Sequence, residues 1–143
     1  MASPAAISLT PPVNAYTILL VEDDDSVRST LRRQLETLGH TVLVADAASV
    51  AIGVLKSDPV PDVMITDVVL GNGMNGIDLA DAARVFRPGL PLIFVSGYTA
   101  VPEAHNRINS SGAPFLSKPL TLSQLERAIN AVMRRNPQDT SRS

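Results

Sequence analysis

A chain of 143 residues with a net charge of −2 and no cysteine is the size of one domain, and a domain of about 150 residues buries roughly 68–70% of its unfolded surface, enough for a core without staples. The missing cysteines exclude disulfides, thiolate chemistry and a Cys-based zinc site, and 12 Lys+Arg against 14 Asp+Glu leave no basic field for a nucleic-acid backbone. The longest apolar runs are strand-sized and no charged N-terminal region leads into an apolar one, so a soluble, cytoplasmic protein with no direct contact to nucleic acid or membrane is expected.

Residues 1–15 are rich in Ala, Ser and Pro and read as a flexible tail before a domain spanning residues 16–135. Thr17 to Val21 predicts a strand that runs straight into Glu22-Asp23-Asp24-Asp25-Ser26. Val27, Leu31, Leu35 and Leu38 then form one stripe of a helix, with Gly39 as its stop. A short strand follows at Thr41 to Ala45, and Ala47 to Lys56 predicts a helix with Val50, Ala51, Val54 and Leu55 inward, ended by Asp58-Pro59. Val63, Met64 and Ile65, entered through Pro61, read as a strand covered on both faces that delivers Asp67 to its end. The loop Gly71 to Gly76 opens a helix to about Arg87, with Ile77, Ala80, Ala83 and Phe86 on one side and Pro88-Gly89 as its break. Pro91 to Val95 is a fourth strand ending at Ser96-Gly97.

Residues 100–111 carry a helical stripe at Val101, Ala104 and Ile108 interrupted by Pro102, Asn106, Asn109 and Ser110, which predicts a short or mobile helix. Gly112 to Ser117 makes a fifth strand ending at Lys118-Pro119. Leu122, Leu125, Ile129 and Val132 stripe a last helix begun by Thr121 or Ser123, and residues 136–143 form a polar tail. Five strands alternating with five helices predict the α/β class, a doubly wound parallel sheet covered on both faces. In such sheets ligands bind outside the carboxyl ends of the strands, where the winding reverses.

At those ends stand Glu22 and Asp23, then Asp67, Ser96 and Lys118. Singly, each has an ordinary reading: a solvated helix start, a turn hydroxyl, a surface lysine. Together they are polar residues at the ends of four apolar strands along one edge of a sheet. Clustered carboxylates repel one another and call for a cation, and hard oxygen donors without His or Cys favour Mg²⁺, commonly shared with a phosphoryl group. A carboxylate beside it can attack phosphorus, while a lysine and a hydroxyl bind the equatorial oxygens.

The runs Ile18-Leu19-Leu20-Val21-Glu22-Asp23-Asp24, Ile65-Thr66-Asp67, Phe94-Val95-Ser96-Gly97 and Phe115-Leu116-Ser117-Lys118-Pro119 together resemble the CheY-like receiver domain of two-component response regulators, over about residues 16–135. The resemblance implies a flavodoxin-like sheet of strand order 2-1-3-4-5. It implies Asp67 as phosphoacceptor and Mg²⁺, or alternatively Mn²⁺, held by Asp23, Asp67, the Val69 backbone carbonyl and, partly through water, Glu22. Ser96 and Lys118 would bind the phosphoryl group, Ser96 and Phe115 would change position on activation, and the Lys118–Pro119 bond would be cis. The implied partners are a histidine kinase or histidine phosphotransfer protein and a downstream protein on the face of residues 100–135, the chain being a monomer or weak dimer. Catalysis would be confined to its own phosphorylation and dephosphorylation.

The loop after Asp67 departs from the family: Gly71 stands where proline is frequent, and the loop is one residue longer than the commonest form. Ser96-Gly97-Tyr98-Thr99 with Ala113-Pro114-Phe115 is most similar to receivers of hybrid histidine kinases. The rival reading is a haloacid-dehalogenase-type phosphatase, with Asp23 as nucleophile and Asp25 as general acid. It lacks the late acidic pair of that family and leaves Asp67 without a role. A nucleotide or flavin binder would need Gly, Ser or Thr amides after the first strand, where this chain has carboxylates.

Overall fold

Each residue from Thr17 to Val21 is apolar or β-branched, and side chains of a strand point alternately to opposite faces, so this segment can be a strand only if both faces are covered. The computed structural model describes residues 15–57, 60–71, 75–97 and 112–134. It places this segment, β1 (Thr17–Val21), in a parallel sheet with β2 (Thr41–Ala45), β3 (Val63–Asp67), β4 (Leu92–Ser96) and β5 (Phe115–Ser117), in the order β2-β1-β3-β4-β5. The helices among the described residues are α1 (Asp25–Thr37), α2 (Ala48–Leu55), α3 (Gly76–Phe86) and α4 (Leu122–Arg134). This is the doubly wound α/β architecture and strand order expected from the sequence. The helix expected over residues 100–111 lies outside the described residues, as do residues 136–143 and all but the last of residues 1–15.

The alternation along the strands sorts the core into two layers. Ile18, Leu20, Val63, Ile65, Ile93 and Val95 pack with Leu31 and Leu35 of α1 and with Leu125, Ile129 and Val132 of α4. Leu19, Val21, Met64, Leu92 and Phe94 pack on the other face with Ala48, Ala51 and Leu55 of α2 and Ile77, Leu79, Ala80 and Ala83 of α3. Every residue of β3 and β4 is buried. Full burial of one Val, Leu or Ile contributes about 1.5–3 kcal/mol, so this double layer is the main source of stability.

Three expected inward residues face out instead: Val50 is 44% exposed, Phe86 43% and Leu122 39%. Helix α2 buries Ala48, Ala51 and Leu55, the i, i+3, i+7 positions, which turns Val50 off the core stripe. Phe86 ends α3, where its ring lies 5.0 Å from the Lys56 ammonium in a cation–π contact. The fifth strand, expected from Gly112, begins at Phe115. Gly112 has φ of 75° and turns the chain, and Pro114 has no N–H to give a ladder, although its carbonyl accepts a hydrogen bond from Phe94 N at 2.9 Å. The starts of α1 and α4 follow capping chemistry. The Asp24 carboxylate accepts from Val27 N at 2.9 Å at the head of α1, two residues before the expected start. Before α4, Thr121 and Gln124 form a reciprocal capping box at 2.8 and 3.1 Å. No helix among the described residues is long and apolar enough to cross a membrane.

At the edge of the sheet opposite the strands' carboxyl ends, His40 Nδ1 accepts a hydrogen bond from Tyr16 N at 3.0 Å and its ring stacks on Tyr16 at 5.7 Å. Burial holds the imidazole pKa below its ordinary value, partly opposed by the charge of Glu126. The neutral ring is therefore the form the fold prefers. Its stabilising contribution is complete above an ordinary imidazole pKa of about 6.5 and is lost as pH falls below it, with a slope of at most about 1.4 kcal/mol per pH unit. Urea denaturation between pH 8 and 5 will show a steeper loss for the wild type than for His40→Asn, and parallel curves will show that His40 does not contribute.

Candidate functional site

The first crossover carries the chain from β1 to β2 on one side and the second carries it to β3 on the other, so a crevice opens between the carboxyl ends of β1 and β3. Pairing register sets what meets there. Val21 is opposite Thr66, Asp67 opposite Val95, and Ser96 opposite Ser117. Glu22, Asp67, Ser96 and Lys118 therefore fall at neighbouring strand ends. Glu22 N still donates to Ala45 O at 3.0 Å and Lys118 N to Ser96 O at 2.7 Å, which extends the ladder to the site residues themselves.

Lys118 ties the site together. Its Nζ lies 2.8 Å from Glu22 Oε1 and 2.8 Å from Asp67 Oδ2. Glu22 is 1% exposed and Asp67 6%, so neither carboxylate is solvated from outside. The second oxygen of each accepts a backbone amide: Asp24 N on Glu22 Oε2 and Val69 N on Asp67 Oδ1, both at 3.1 Å. Burial raises the Glu22 pKa, opposed by the hydrogen bonds from Lys118 and the Asp24 amide and reinforced by the charge of Asp67. Burial alone would lower the Lys118 pKa, but the hydrogen bonds and charges of Asp67 and Glu22 outweigh it and raise it. The ammonium is thus held charged in a place where an isolated lysine would tend to lose its proton.

Asp23 stands on the rim, exposed. One carboxylate oxygen each from Glu22, Asp23 and Asp67 lie within 4.8 Å of one another, a donor set of oxygens that can hold a metal ion. The surrounding cleft, of about 490 Å³, is lined by these residues with Asp24, Val27, Val69, Ser96, Gly97 and Lys118. Among the described residues that line it there is no His or Cys, so a hard divalent cation fits the donor chemistry. Ser96 is 1% exposed beside it, and Phe115 is half-buried against the α2/α3 layer. The Lys118–Pro119 bond is cis.

Two contributors were not singled out from the sequence. Arg28 donates to the Glu22 carbonyl at 3.0 Å and pairs with Asp25, which holds the acidic turn against α1. Its signal was only an arginine three and six residues beyond the two acids it holds. Gly76 begins α3, where a Cβ would lie 1.9 Å from the Asp67 carbonyl oxygen. Its N–H donates to Val68 O at 2.8 Å, so the head of α3 is packed directly on the backbone of Asp67.

Comparison with known proteins agrees with this geometry. The response regulator receiver domain family matches residues 18–130. The chain belongs to that family. It is 30% identical over 127 residues to the response regulator MprA of Mycobacterium bovis (strain BCG / Pasteur 1173P2), a match that covers 88% of this chain and 54% of that protein. The chain thus spans about half the length of the curated relatives it matches. Among solved structures, the signal receiver domain of a modulated diguanylate cyclase from Desulfovibrio desulfuricans G20 is 30% identical with a TM-score of 0.77, covering 88% of this chain and 99% of that one. A response regulator receiver protein from Sinorhizobium medicae WSM419 is 28% identical with a TM-score of 0.72, covering 85% and 97%.

Substituting two glycines separates site packing from helix propensity. Gly76→Ala, which drives a methyl into the Asp67 carbonyl, will destabilise the receiver by about 1–3 kcal/mol or more. Gly53→Ala in α2, with nothing within 4 Å of the added Cβ, will be neutral or stabilise by about 0.5–1 kcal/mol. Urea midpoints of the two variants check both, and a Gly76→Ala midpoint equal to that of the wild type will show that the packing on Asp67 is soft.

Proposed function

We propose that this receiver accepts a phosphoryl group on Asp67 from a phosphohistidine donor, a histidine kinase or histidine phosphotransfer protein, in a Mg²⁺-dependent reaction. The observation that carries the reading is the buried Asp67 carboxylate, 2.8 Å from the Lys118 ammonium and grouped with the carboxylates of Glu22 and Asp23. One oxygen of Asp67 attacks phosphorus. The P–O bond forms as the P–N bond to the donor imidazole breaks, and the electron pair of that bond stays on the imidazole nitrogen. Negative charge on the equatorial oxygens then meets the Lys118 ammonium and the Ser96 hydroxyl at the cleft wall. Glu22, Asp23 and Asp67, with the Val69 carbonyl, would hold Mg²⁺ or Mn²⁺, which when bound neutralises charge on the phosphoryl oxygens. Beside the cleft, a groove of about 240 Å³ lined by Val27, Leu31, Pro119 and Leu120 shares Val27 and Lys118 with it. This supports an approach of the donor over α1.

Output runs through a change in packing between two states, with Ser96 drawn toward the phosphoryl group and Phe115 turning inward. The downstream partner takes the face of residues 100–135, of which only 112–134 are described. The phosphatase reading loses its general acid: the Asp25 side chain is 91% exposed on the first turn of α1, paired with Arg28, and does not line the cleft.

Incubation with Mg²⁺ and a small phosphodonor, followed by intact mass, tests the proposal. The wild type will gain one phosphoryl group, while Asp67→Asn, or the wild type with excess chelator, will gain none. Steady phosphate-ester hydrolysis that depends on Asp25 and survives Asp67→Asn will overturn it.

A further inference from the structure

The turn that carries Glu22 and Asp23 is pinned on both sides of Asp23. Glu22 N donates to Ala45 O at 3.0 Å, Asp24 N donates to Glu22 Oε2 at 3.1 Å, and the Asp24 carboxylate accepts from Val27 N at 2.9 Å. The Asp23 side chain itself is exposed and has no hydrogen bond or ion pair among the described residues. Its carboxylate turns freely about its own bonds, so what bounds its reach is where the backbone places its Cα and Cβ.

Arg28 holds that backbone. Its Nη1 donates to the Glu22 carbonyl at 3.0 Å while its Nη2 pairs with Asp25 Oδ1 at 2.5 Å. The Glu22 carbonyl belongs to the peptide unit that ends on the Asp23 Cα. A peptide unit is planar, so a bond to its oxygen fixes the plane from which Asp23 projects. The contact with Asp25 contributes little stability by itself, because that side chain is 91% exposed. It gives the guanidinium a second anchor, and a planar fork held at two points keeps a direction that a single-point cation lacks. Arg28 does not line the cleft, and its bonds among the described residues go to the carbonyl and to Asp25, not to the three clustered carboxylates. By charge alone it would oppose a divalent cation in the cleft, since it adds a positive charge behind the same turn. Through the backbone it would favour one, so the two effects have opposite signs.

We infer that Arg28 is a positioning residue for the metal ligand Asp23: its bond to the Glu22 carbonyl holds the peptide plane that aims Asp23, and so keeps an Asp23 oxygen within the 4.8 Å span shared with Glu22 and Asp67. This rests on the receiver reading above. Without the guanidinium the Glu22–Asp23 peptide can turn, Asp23 spreads over more directions, and part of the binding energy of the cation goes into restoring the alignment.

Calorimetric titration of the full chain with Mg²⁺, without phosphodonor, tests this, with Arg28→Met, Arg28→Lys and Arg32→Met beside the wild type. Arg28→Met will weaken Mg²⁺ binding roughly tenfold, the scale of a lost outer support of a metal ligand. Arg28→Lys, which keeps the charge but not the fork, will show part of that loss. Arg32→Met removes an equal charge one turn along α1, where Arg32 pairs with Glu36, and will leave affinity unchanged. Arg28→Met that binds Mg²⁺ as well as or better than the wild type will overturn the inference, as will an equal loss in Arg32→Met. Amide spectra without Mg²⁺ separate aim from folding: Arg28→Met will differ from the wild type at residues 22–25 and coincide with it along β3 and β4, and changes spread through both core layers will overturn the inference. If Arg28→Met fails to melt cooperatively, Arg28→Lys decides, weaker binding supporting the inference and wild-type affinity overturning it. A wild type that neither binds Mg²⁺ nor gains a phosphoryl group overturns the receiver reading and the role of Arg28 with it.

Discussion

One ammonium group between two buried carboxylates organises the functional end of this protein. Lys118, at 2.8 Å from both Glu22 and Asp67, arrives from the edge strand β5, while its partners come from β1 and β3 at the middle of the sheet. Such an arrangement is costly to desolvate and is stable only when every remaining oxygen is satisfied. The amides of Asp24 and Val69 supply what Lys118 does not. The consequence is a preorganised pocket wall in which charge is already placed where phosphoryl oxygens would need it.

The acidic run after β1 shows how one turn gives adjacent carboxylates different work. Glu22 continues the strand and points into the sheet end, buried against Lys118. Asp23 stands on the rim of the cleft, Asp24 caps α1 by accepting Val27 N, and Asp25 faces solvent paired with Arg28. Carboxylates at a helix N-terminus are favourable in any case, through the exposed amides and the helix dipole. Only the turn geometry separates the residue that caps from those that can take a cation.

The two-layered core explains why the site can hold this much charge. Strands β3 and β4 are buried at every position, between α1 and α4 on one face and α2 and α3 on the other. They project Asp67 and Ser96 from a rigid base, and small shifts at their ends are resisted by packing along their length. After β3, the head of α3 is packed at Gly76 on the backbone of Asp67, where a Cβ would lie 1.9 Å from the carbonyl oxygen.

Local pattern alone determined much of this protein. Continuous apolar runs ending in polar residues marked the strands, stripes of period 3.6 marked the helices, and their alternation required a parallel sheet whose carboxyl ends collect Glu22, Asp23, Asp67, Ser96 and Lys118. Those signals are legible because burial on two faces and helical periodicity leave a direct trace in residue order. Tertiary structure decided what has no such trace. It turned Val50, Phe86 and Leu122 outward although each lay on an apolar stripe, because helix length and neighbouring elements set how wide a stripe the sheet covers. It delayed β5 to Phe115, because Gly112 and Pro114 are spent on the turn. It gave Arg28 and Gly76 their roles, since contacts with a carbonyl or a carboxylate brought near by folding depend on distances that no residue spacing records.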